Sequence, residues 1–407
     1  MTRTIFAFNG DFESRLALHW LVHERGQEVV ALSLNLGQGI YLEPLGELAL
    51  ELGATAAHIV DRRCELLHDF ALPVLQADAV YQGGCFLGSA LSRYVVAREL
   101  AQVAAEQNCR RVAHSSATRG NDQVRLEAAL AALAPDLEVI APVRQWHLNT
   151  LEEKLNYARR RRLPVEEPPA RPVVIDKNLW GTSIFLEMLV DPWEEPPADV
   201  FTLTRAPQDA PDQPLTLALG FEQGVPTTLD GQRMELPALV RELNRVGGEH
   251  GIGRSDVIED RLFAIKSREI YETPGPTLLR AAHRDLESLV HSRELLQMKE
   301  GLSRRYAELV YNGQWFHDLR RALQSFFDAT RRYVSGEVRL RLFKGACQVV
   351  GRRSSQSLYD GQLVSQANRE TFDDHWAQAF AALWSLPLRV AARRQAPTPP
   401  AGGWDTP

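Results

Sequence analysis

The chain has 407 residues and a formal net charge of −6, with 44% hydrophobic and 24% charged residues. These values are typical of a globular protein of two or three domains, and no apolar run approaches the ~20 residues of a membrane-spanning helix. The negative charge argues against a protein that binds nucleic acid through its phosphates. The four cysteines form no CxxC pair, so neither a zinc site nor a disulfide framework is indicated. Because no signal peptide is recognisable, we expect a cytoplasmic protein without a membrane partner.

The first predicted element is an apolar strand at 4–8, which runs into the turn Asn9-Gly10-Asp11 and then into a helix. A strand, turn and helix in this order direct backbone N–H groups and the positive end of the helix dipole to one point. That arrangement suits a phosphate or carboxylate ligand. The turn and first helical residues also carry two acids, Asp11 and Glu13. The segment therefore predicts a phosphate site with an unusual negative charge.

The first 145 residues alternate short β-branched runs with amphipathic helical segments. This alternation predicts a parallel, doubly wound sheet in an α/β domain. The predicted strands lie near 4–8, 28–34, 57–60, 111–115 and 137–142. Ligands of such sheets bind beyond the carboxyl ends of the strands. We therefore expect the segments 9–15, 35–39 and 115–122 to meet at one crevice.

A proline-rich stretch at 166–172 marks a domain boundary. Beyond it the strands and helices no longer alternate strictly, which predicts an α+β second domain with strands at 215–221, 338–343 and 346–350. We expect a first domain at 1–165, a second at 173–368, a C-terminal helix at 369–395 and a disordered tail at 396–407. An apolar terminal helix packs either on another subunit or on its own domain, and the sequence favours neither.

Six blocks of residues carry a resemblance to a known family. They are Gly120–Arg125, Leu133–Pro142, Asp191-Pro192-Trp193, His250–Arg254, Lys266–Glu272 and Tyr306–Tyr311. Together with the first turn, they resemble argininosuccinate synthases in order and spacing over about residues 3–390. The resemblance implies an ATP-pyrophosphatase domain, a synthetase/multimerisation domain and a C-terminal helix used in a homotetramer. It also implies a reaction in which citrulline is adenylated by ATP with Mg²⁺ and then condensed with aspartate, releasing pyrophosphate and AMP.

The family's nucleotide loop reads Ser-Gly-Gly-x-Asp-Thr-Ser, and Asp11 replaces its second glycine. A like-charge pair at ~4 Å costs on the order of 4 kcal/mol at an effective dielectric of 20, which would weaken ATP binding. Arg15 either binds phosphate in compensation or pairs with Asp11 or Glu13 and fills the site. The resemblance implies that the ATP-binding positions are Ala7, Asn9, Gly10, Glu13, Ser14, Arg15, Leu34, Ser115 and Gly120.

The amino-acid positions are mixed in the same way. The positions implied for a citrulline-like substrate are Cys85, Arg93, Asn121, Arg125, Ser183, Glu259 and Tyr271. Those implied for an aspartate-like substrate are Ala117, Asn121 and Asp122. Cys85, Ala117 and Val174 replace a tyrosine, a threonine and a serine of the family, and each lost hydroxyl contact costs ~1–3 kcal/mol. We expect Cys85 to be a buried, inert thiol and His114 a structural histidine, and we assign no catalytic residue and no metal ligand.

Three functions therefore remain open from the sequence. The chain is an argininosuccinate synthase, a ligase of the same family with other substrates, or a protein that keeps the fold as a binding or assembly partner. The altered loop favours the second and third alternatives. The retained Asn121, Asp122, Arg125, Ser183, Glu259 and Tyr271 favour an intact amino-acid site. We therefore interpret the chain as a divergent ATP-dependent ligase of the argininosuccinate synthase type and keep the other two functions as alternatives.

Overall fold

The computed structural model describes residues 2–39, 42–116, 120–165, 173–365 and 373–395. They belong to two compact units, Met1–Gln356 and Ser357–Pro407. The expected disordered tail, 396–407, lies outside the described residues.

The larger unit begins with a parallel five-stranded sheet, in the strand order β3-β2-β1-β4-β5. Its strands are β1 (Arg3–Ala7), β2 (Glu28–Asn35), β3 (Ala56–Asp61), β4 (Arg111–Ala113) and β5 (Glu138–Ile140). The helices are α1 (Phe12–His23), α2 (Glu43–Glu51), α3 (Arg63–Glu65), α4 (Leu72–Gln76), α5 (Gly88–Glu106), α6 (Asn121–Leu133) and α7 (Leu151–Arg161), and a π-helical turn, Leu66–Ala71, joins α3 to α4. The predicted parallel α/β sheet is confirmed.

Both faces of the sheet are covered at its two central strands, β1 and β2, which explains why most of their residues are apolar and buried. Successive side chains of β1 point to opposite faces, so Ile5 and Phe6 enter two different apolar clusters, and both are fully buried. The cluster around Phe6 includes residues of α1 and α2. The cluster around Ile5 includes residues of α5 and continues into the second half of the unit. A single core therefore joins the two halves.

Strand β1 lies at the topological switch point of the sheet. The chain moves outward through β2 and β3 and then returns to pair β4 on the other side of β1. The loops that follow β1 and β4 therefore diverge at the carboxyl edge and leave a crevice between them. This places the turn at 9–11 and the described residues 114–116 on the same edge.

The second half of the unit contains two antiparallel sheets, in the orders β10-β9-β8-β13-β14 and β11-β12-β7-β6. Their strands are β6 (Val173–Asn178), β7 (Gly181–Leu186), β8 (Leu215–Glu222), β9 (Val225–Leu229), β10 (Gln232–Arg233), β11 (Arg254–Asp260), β12 (Lys266–Glu272), β13 (Gly336–Phe343) and β14 (Ala346–Arg353). The helices are α8 (Leu236–Glu249), α9 (Pro274–Val290), α10 (Arg293–Tyr311) and α11 (Asp318–Thr330). The three strands expected from the sequence are present.

The four-stranded sheet carries a row of polar residues across one face, here called the polar face. Asp176, Ser183, Tyr271 and Ser255 are directly opposite one another across its four strands, so their side chains share a face. The other face carries Ile184 and Ile270, which lie in a small apolar cluster of their own. The polar face is joined to α5 by a hydrogen bond of 2.5 Å from Ser89 Oγ to Asp176 Oδ2.

The turn between β6 and β7 connects this sheet to the parallel sheet. The Leu179 N–H donates to the Leu36 carbonyl at 2.8 Å, and Trp180 Nε1 donates to the Phe86 carbonyl at 3.1 Å. Gly37 has φ +89° here, and a Cβ on it would lie 2.8 Å from the Leu179 Cβ. The close approach of the two sheets therefore requires glycine at 37.

The smaller unit contains α12 (Gly361–Val364), α13 (Asp374–Trp384) and α14 (Leu386–Gln395). The expected single C-terminal helix is thus two, separated at Ser385. Pro387, in the first turn of α14, lacks the N–H that a continuous helix would need at that point. Within the described ranges, no helix has the length and apolar character needed to span a membrane.

We predict that Gly37→Ala lowers the stability of the protein more than Gly26→Ala does. Gly26 also has a positive φ of +60°, but a Cβ there would meet nothing within 4 Å. The control should therefore cost only ~1–2 kcal/mol of backbone strain, whereas Gly37→Ala adds ~1–3 kcal/mol of overpacking against Leu179. Urea unfolding followed by circular dichroism measures both. Equal losses would show that the contact between Gly37 and Leu179 does not constrain the fold.

Candidate active site

The turn after β1 is closed by the side chain of Asp11, which caps helix α1. Asp11 Oδ1 accepts the Ser14 N–H at 2.7 Å, and Asn9 Nδ2 donates to Asp11 Oδ2 at 2.7 Å. Gly10 makes the turn with φ +77°. The Asp11 carboxylate thus accepts a hydrogen bond from one of the backbone N–H groups that the first turn of a helix can donate to an anionic ligand.

Arg15 forms neither of the ion pairs expected as one alternative, and that alternative was wrong. Its Nε donates to the Gly10 carbonyl at 2.7 Å and its Nη1 to the Pro164 carbonyl at 2.5 Å. The guanidinium therefore ties the turn to the segment after α7. A guanidinium has five N–H donors, so Arg15 can hold both carbonyls and still offer N–H groups of Nη1 and Nη2 to a phosphate.

Glu13 is neutralised by a residue that the sequence did not indicate. Lys154 of α7 donates to Glu13 Oε1 at 2.6 Å. The other oxygen, Oε2, is buried and has no hydrogen-bond partner among the residues that the structure describes. The two residues are 141 positions apart, so no local pattern connects them. The negative charge of the turn is therefore smaller than the sequence suggests.

The other implied nucleotide positions lie at the same edge of the sheet. Ala7 ends β1, and Leu34 is in β2 beside it. Ser115 follows β4, and Gly120 precedes α6. Residues 117–119, which include Ala117, lie outside the described part of the chain. His114 Nε2 contacts Glu127 at 3.1 Å, and burial together with Arg144 lowers the pKa of His114 to about 4. His114 is thus neutral at pH 7, as expected of a structural histidine.

Arg93, on α5, forms ion pairs with a residue of α6 and with a residue of the four-stranded sheet. Its Nη2 lies 2.8 Å from Asp122 Oδ2 on α6 and 2.7 Å from Asp176 Oδ2 on β6. Burial alone would raise the pKa of Asp122, but Arg93 and Arg125 outweigh it and lower the pKa. The Asp122 carboxylate therefore remains charged, and the Arg93 guanidinium lies between it and the Asp176 carboxylate.

Arg125 and Glu259 converge on one residue, Tyr311. Arg125 Nε donates to the Tyr311 carbonyl at 2.8 Å, and its guanidinium lies 4.5 Å from the centre of the tyrosine ring. The Tyr311 hydroxyl donates to Glu259 Oε1 at 2.5 Å, and the Tyr271 hydroxyl donates to Glu259 Oε2 at 2.8 Å. Asn121 Nδ2 donates to the Tyr311 hydroxyl at 2.9 Å. A buried cation thus lies over the Tyr311 ring, and a buried carboxylate accepts from its hydroxyl.

The structure brings together most of the residues implied for the amino-acid substrates. Hydrogen bonds connect Arg93, Asn121, Asp122, Arg125, Glu259 and Tyr271 directly or through one intervening residue, and Ser183 lies between Asp176 and Tyr271 on the polar sheet face. Cys85 is buried, and burial raises its pKa to about 12, so it is a neutral thiol. Val174, in contrast, is largely exposed.

Sequence reasoning missed three members of this group: Ser89, Asp176 and Tyr311. Tyr311 ends one of the six blocks, and Asp176 follows Val174 by two residues. No local pattern predicted a hydrogen-bond partner for either. Tyr311 is 190 residues from Asn121 and 52 from Glu259, and only the packing of α10 beside β11 and α6 brings them into contact.

We predict that Arg93→Met destabilises the protein by ~1–3 kcal/mol because it leaves Asp122 and Asp176 without their shared cation. The matched control is Arg98→Met on the same helix, where Arg98 forms an exposed pair with Asp69. Exposed pairs contribute at most ~1 kcal/mol, so the control should change little. Thermal unfolding of both variants measures the difference. A control as unstable as Arg93→Met would show that the junction does not depend on this charge.

Two family models match almost the whole chain. Residues 3–164 match the arginosuccinate synthase N-terminal HUP domain, and residues 173–391 match the arginosuccinate synthase C-terminal domain. The chain is 43% identical over 392 residues to the argininosuccinate synthase of Pelotomaculum thermopropionicum, covering 96% of this chain and 98% of that protein. It is 44% identical over 387 residues to that of Rubrobacter xylanophilus, covering 95% and 94%. With that of Synechococcus elongatus it shares 43% over 389 residues, covering 95% and 97%. The chain therefore belongs to the argininosuccinate synthase family.

Proposed function

We propose that this chain is an ATP-dependent carbon–nitrogen ligase of the argininosuccinate synthase type. It transfers AMP from ATP to the ureido oxygen of citrulline, or to the carbonyl oxygen of a related amino acid, and releases pyrophosphate. The aspartate amine then displaces AMP. The observation that carries this proposal is the convergence of Arg125 and Glu259 on Tyr311, within a chain that matches the family from end to end.

The amino-acid half of the site has the groups that this chemistry needs. An amino-acid ligand requires a cation for its carboxylate and an anion for its ammonium at a fixed spacing. Arg125 supplies the first and Glu259 the second, with Tyr271 and Ser183 on the polar sheet face beside them. Asn121 and Asp122, at the start of α6, are placed for the second amino acid. These roles follow from charge and hydrogen-bonding capacity.

The nucleotide half fits a triphosphate less well. The Asp11 carboxylate holds the Ser14 N–H, and Arg15 is bound to two carbonyls. ATP, with Mg²⁺ as its counterion, would have to displace the Asp11 side chain and be positioned by the amides of the turn and Arg15. The protein then contributes to the reaction in two ways. It positions the α-phosphorus against the ureido oxygen, and it neutralises phosphate charge.

The Asp11 cap favours a second candidate function. If the Asp11 carboxylate keeps its hydrogen bond with the Ser14 N–H, phosphate cannot bind at the turn. The chain then acts as a catalytically inactive binding or assembly partner that retains the fold. This candidate needs no change outside the turn. The two functions differ in one measurable property, which is ATP binding.

We predict that ATP with Mg²⁺ raises the melting temperature of the protein, and that Asp11→Gly enlarges this shift. Bound ligand stabilises by RT ln(1 + [L]/Kd), ~2.7 kcal/mol at a hundredfold excess over Kd. Glycine removes the carboxylate and costs the helix only a few tenths of a kcal/mol as a cap. The matched control is Asp373→Gly, which removes an equivalent cap from α13. It should leave the nucleotide shift unchanged.

Each result selects between the two functions. A shift in the unmodified protein, together with pyrophosphate release from citrulline and aspartate, supports the synthase reaction. Pyrophosphate release only with another amino acid identifies a ligase of different specificity. A shift in Asp11→Gly but not in the unmodified protein supports the inactive partner, because the turn is then closed by Asp11. No shift in either protein contradicts nucleotide binding at this turn.

We also propose that the protein acts in the cytoplasm as a homotetramer assembled through its C-terminal helices. Within the smaller unit, Phe380 is 63% exposed and Trp384 67%, and Leu383, Leu386, Leu388 and Val390 are also exposed. An apolar surface of this extent on two short helices is typical of a segment that packs against another protein surface.

We predict that Phe380→Glu lowers the molecular mass measured in solution, because a buried carboxylate in the subunit contact is unfavourable. Gln378→Glu is the matched control, since it adds the same charge to an exposed position of the same helix. Sedimentation equilibrium of the full chain distinguishes the species. An unchanged mass for Phe380→Glu would exclude this helix from the interface.

A further inference from the structure

Tyr311 is the last residue of helix α10 and is only 1% exposed. The final carbonyls of a helix have no partner within it, and the helix dipole makes that end negative. Arg125 satisfies the Tyr311 carbonyl and contributes a positive charge at this end. The position of the Arg125 side chain is thus fixed by the backbone of α10 and by the face of the Tyr311 ring.

The hydroxyl of Tyr311 fixes two further groups. It accepts a hydrogen bond from Asn121 and donates one to Glu259, which is only 3% exposed. The other Glu259 oxygen is held by Tyr271. The Tyr311 ring is stacked on that of Tyr81 with 3.7 Å between their centres, so it has little freedom to rotate. One rigid phenol therefore sets the relative positions of an amide, a guanidinium and a carboxylate.

We propose that Tyr311 is a positioning residue of the amino-acid site, which orients Arg125, Asn121 and Glu259 for the substrate without contacting the reacting atoms. This inference rests on the proposed function, because the three residues matter to activity only if they bind the amino-acid substrates. It assigns to α10 a role in substrate recognition.

The phenol also controls the charge of Glu259. Burial raises the pKa of this carboxyl, whereas the hydrogen bonds from Tyr311 and Tyr271 oppose that rise by stabilising the charged form. The other charged or titratable groups that face Glu259 are Glu269 on β12, Arg125 on α6, and Tyr81 and Cys85 in the loop before α5. Loss of the Tyr311 hydroxyl should therefore raise the pKa of Glu259 further and leave its carboxyl neutral at a higher pH.

The test is the affinity of the full chain for L-citrulline, measured by isothermal titration calorimetry between pH 6 and 8.5 with Tyr311→Phe. The ring and the backbone carbonyl remain, so Arg125 keeps its contacts and only the hydroxyl is lost. We expect citrulline binding to weaken by about tenfold at neutral pH, because a buried carboxylate has lost a hydrogen bond. The deficit should shrink as the pH rises, because Glu259 then regains its charge in the variant.

Tyr306→Phe is the matched control. Tyr306 lies on the same helix, is fully buried, and its hydroxyl donates to Gln324 at 2.6 Å, remote from Glu259. It should weaken folding to a similar degree but leave the affinity for citrulline and its pH dependence unchanged. Thermal unfolding without ligand verifies that both variants fold.

The outcomes separate this inference from the proposed function. If the unmodified protein binds citrulline and Tyr311→Phe binds it equally well, or more weakly by a factor that does not vary with pH, the positioning role is wrong. A similar loss in Tyr306→Phe would also overturn it, because the effect would then be one of packing. If the unmodified protein itself does not bind citrulline, the proposed substrate is wrong and the inference fails with it.

Discussion

The pairing of Arg93 with Asp122 and Asp176 is the interaction on which the site depends. A charge in a partly buried junction is tolerated only when it has partners, and here one partner is on helix α6 and the other on strand β6 of the four-stranded sheet. This requirement turns the polar face of the four-stranded sheet toward α5 and α6. Ser183, Tyr271 and Glu259 are then brought to α6, the helix that carries Asn121 and Arg125. The same sheet buries Ile184 and Ile270 on its opposite face, so its orientation is fixed from both sides.

The two halves of the site follow different physical rules. In the amino-acid half, groups from α6, α10, β11 and β12 satisfy one another, and each charge has a partner of opposite sign or a hydroxyl donor. In the nucleotide half, the chain supplies its own anion at the start of α1, where a phosphate ligand would otherwise meet free amides. Lys154 reduces the remaining charge by pairing with Glu13. The aspartate at position 11, where the family has glycine, thus alters the start of α1 and does not disturb the contacts that join Arg125 and Glu259 to Tyr311.

Tyr311 shows how a helix terminus can organise a cluster of polar and charged side chains. Its carbonyl is available because the helix ends there, its ring offers a face to a guanidinium, and its hydroxyl both accepts and donates. Three properties of one residue are thus used by residues of α6 and β11. A residue with an aliphatic side chain would provide only the carbonyl, so the arrangement depends on the chemistry of tyrosine.

The sequence by itself determined the parallel sheet, the turn after β1, the antiparallel strands of the second half and the family. Each of these rests on local periodicity, on turn residues or on motifs in a fixed order, which do not depend on distant contacts. The Asp11 cap could also have been predicted from the sequence, because Asp11 and Ser14 are only three residues apart. The tertiary structure alone decided that Arg15 binds the carbonyls of Gly10 and Pro164, that Lys154 pairs with Glu13, and that Arg125 and Glu259 share Tyr311. Apart from the bond to Gly10, these contacts join residues more than fifty positions apart along the chain. Their energies depend on burial and geometry, which exist only once the sheets and helices have packed.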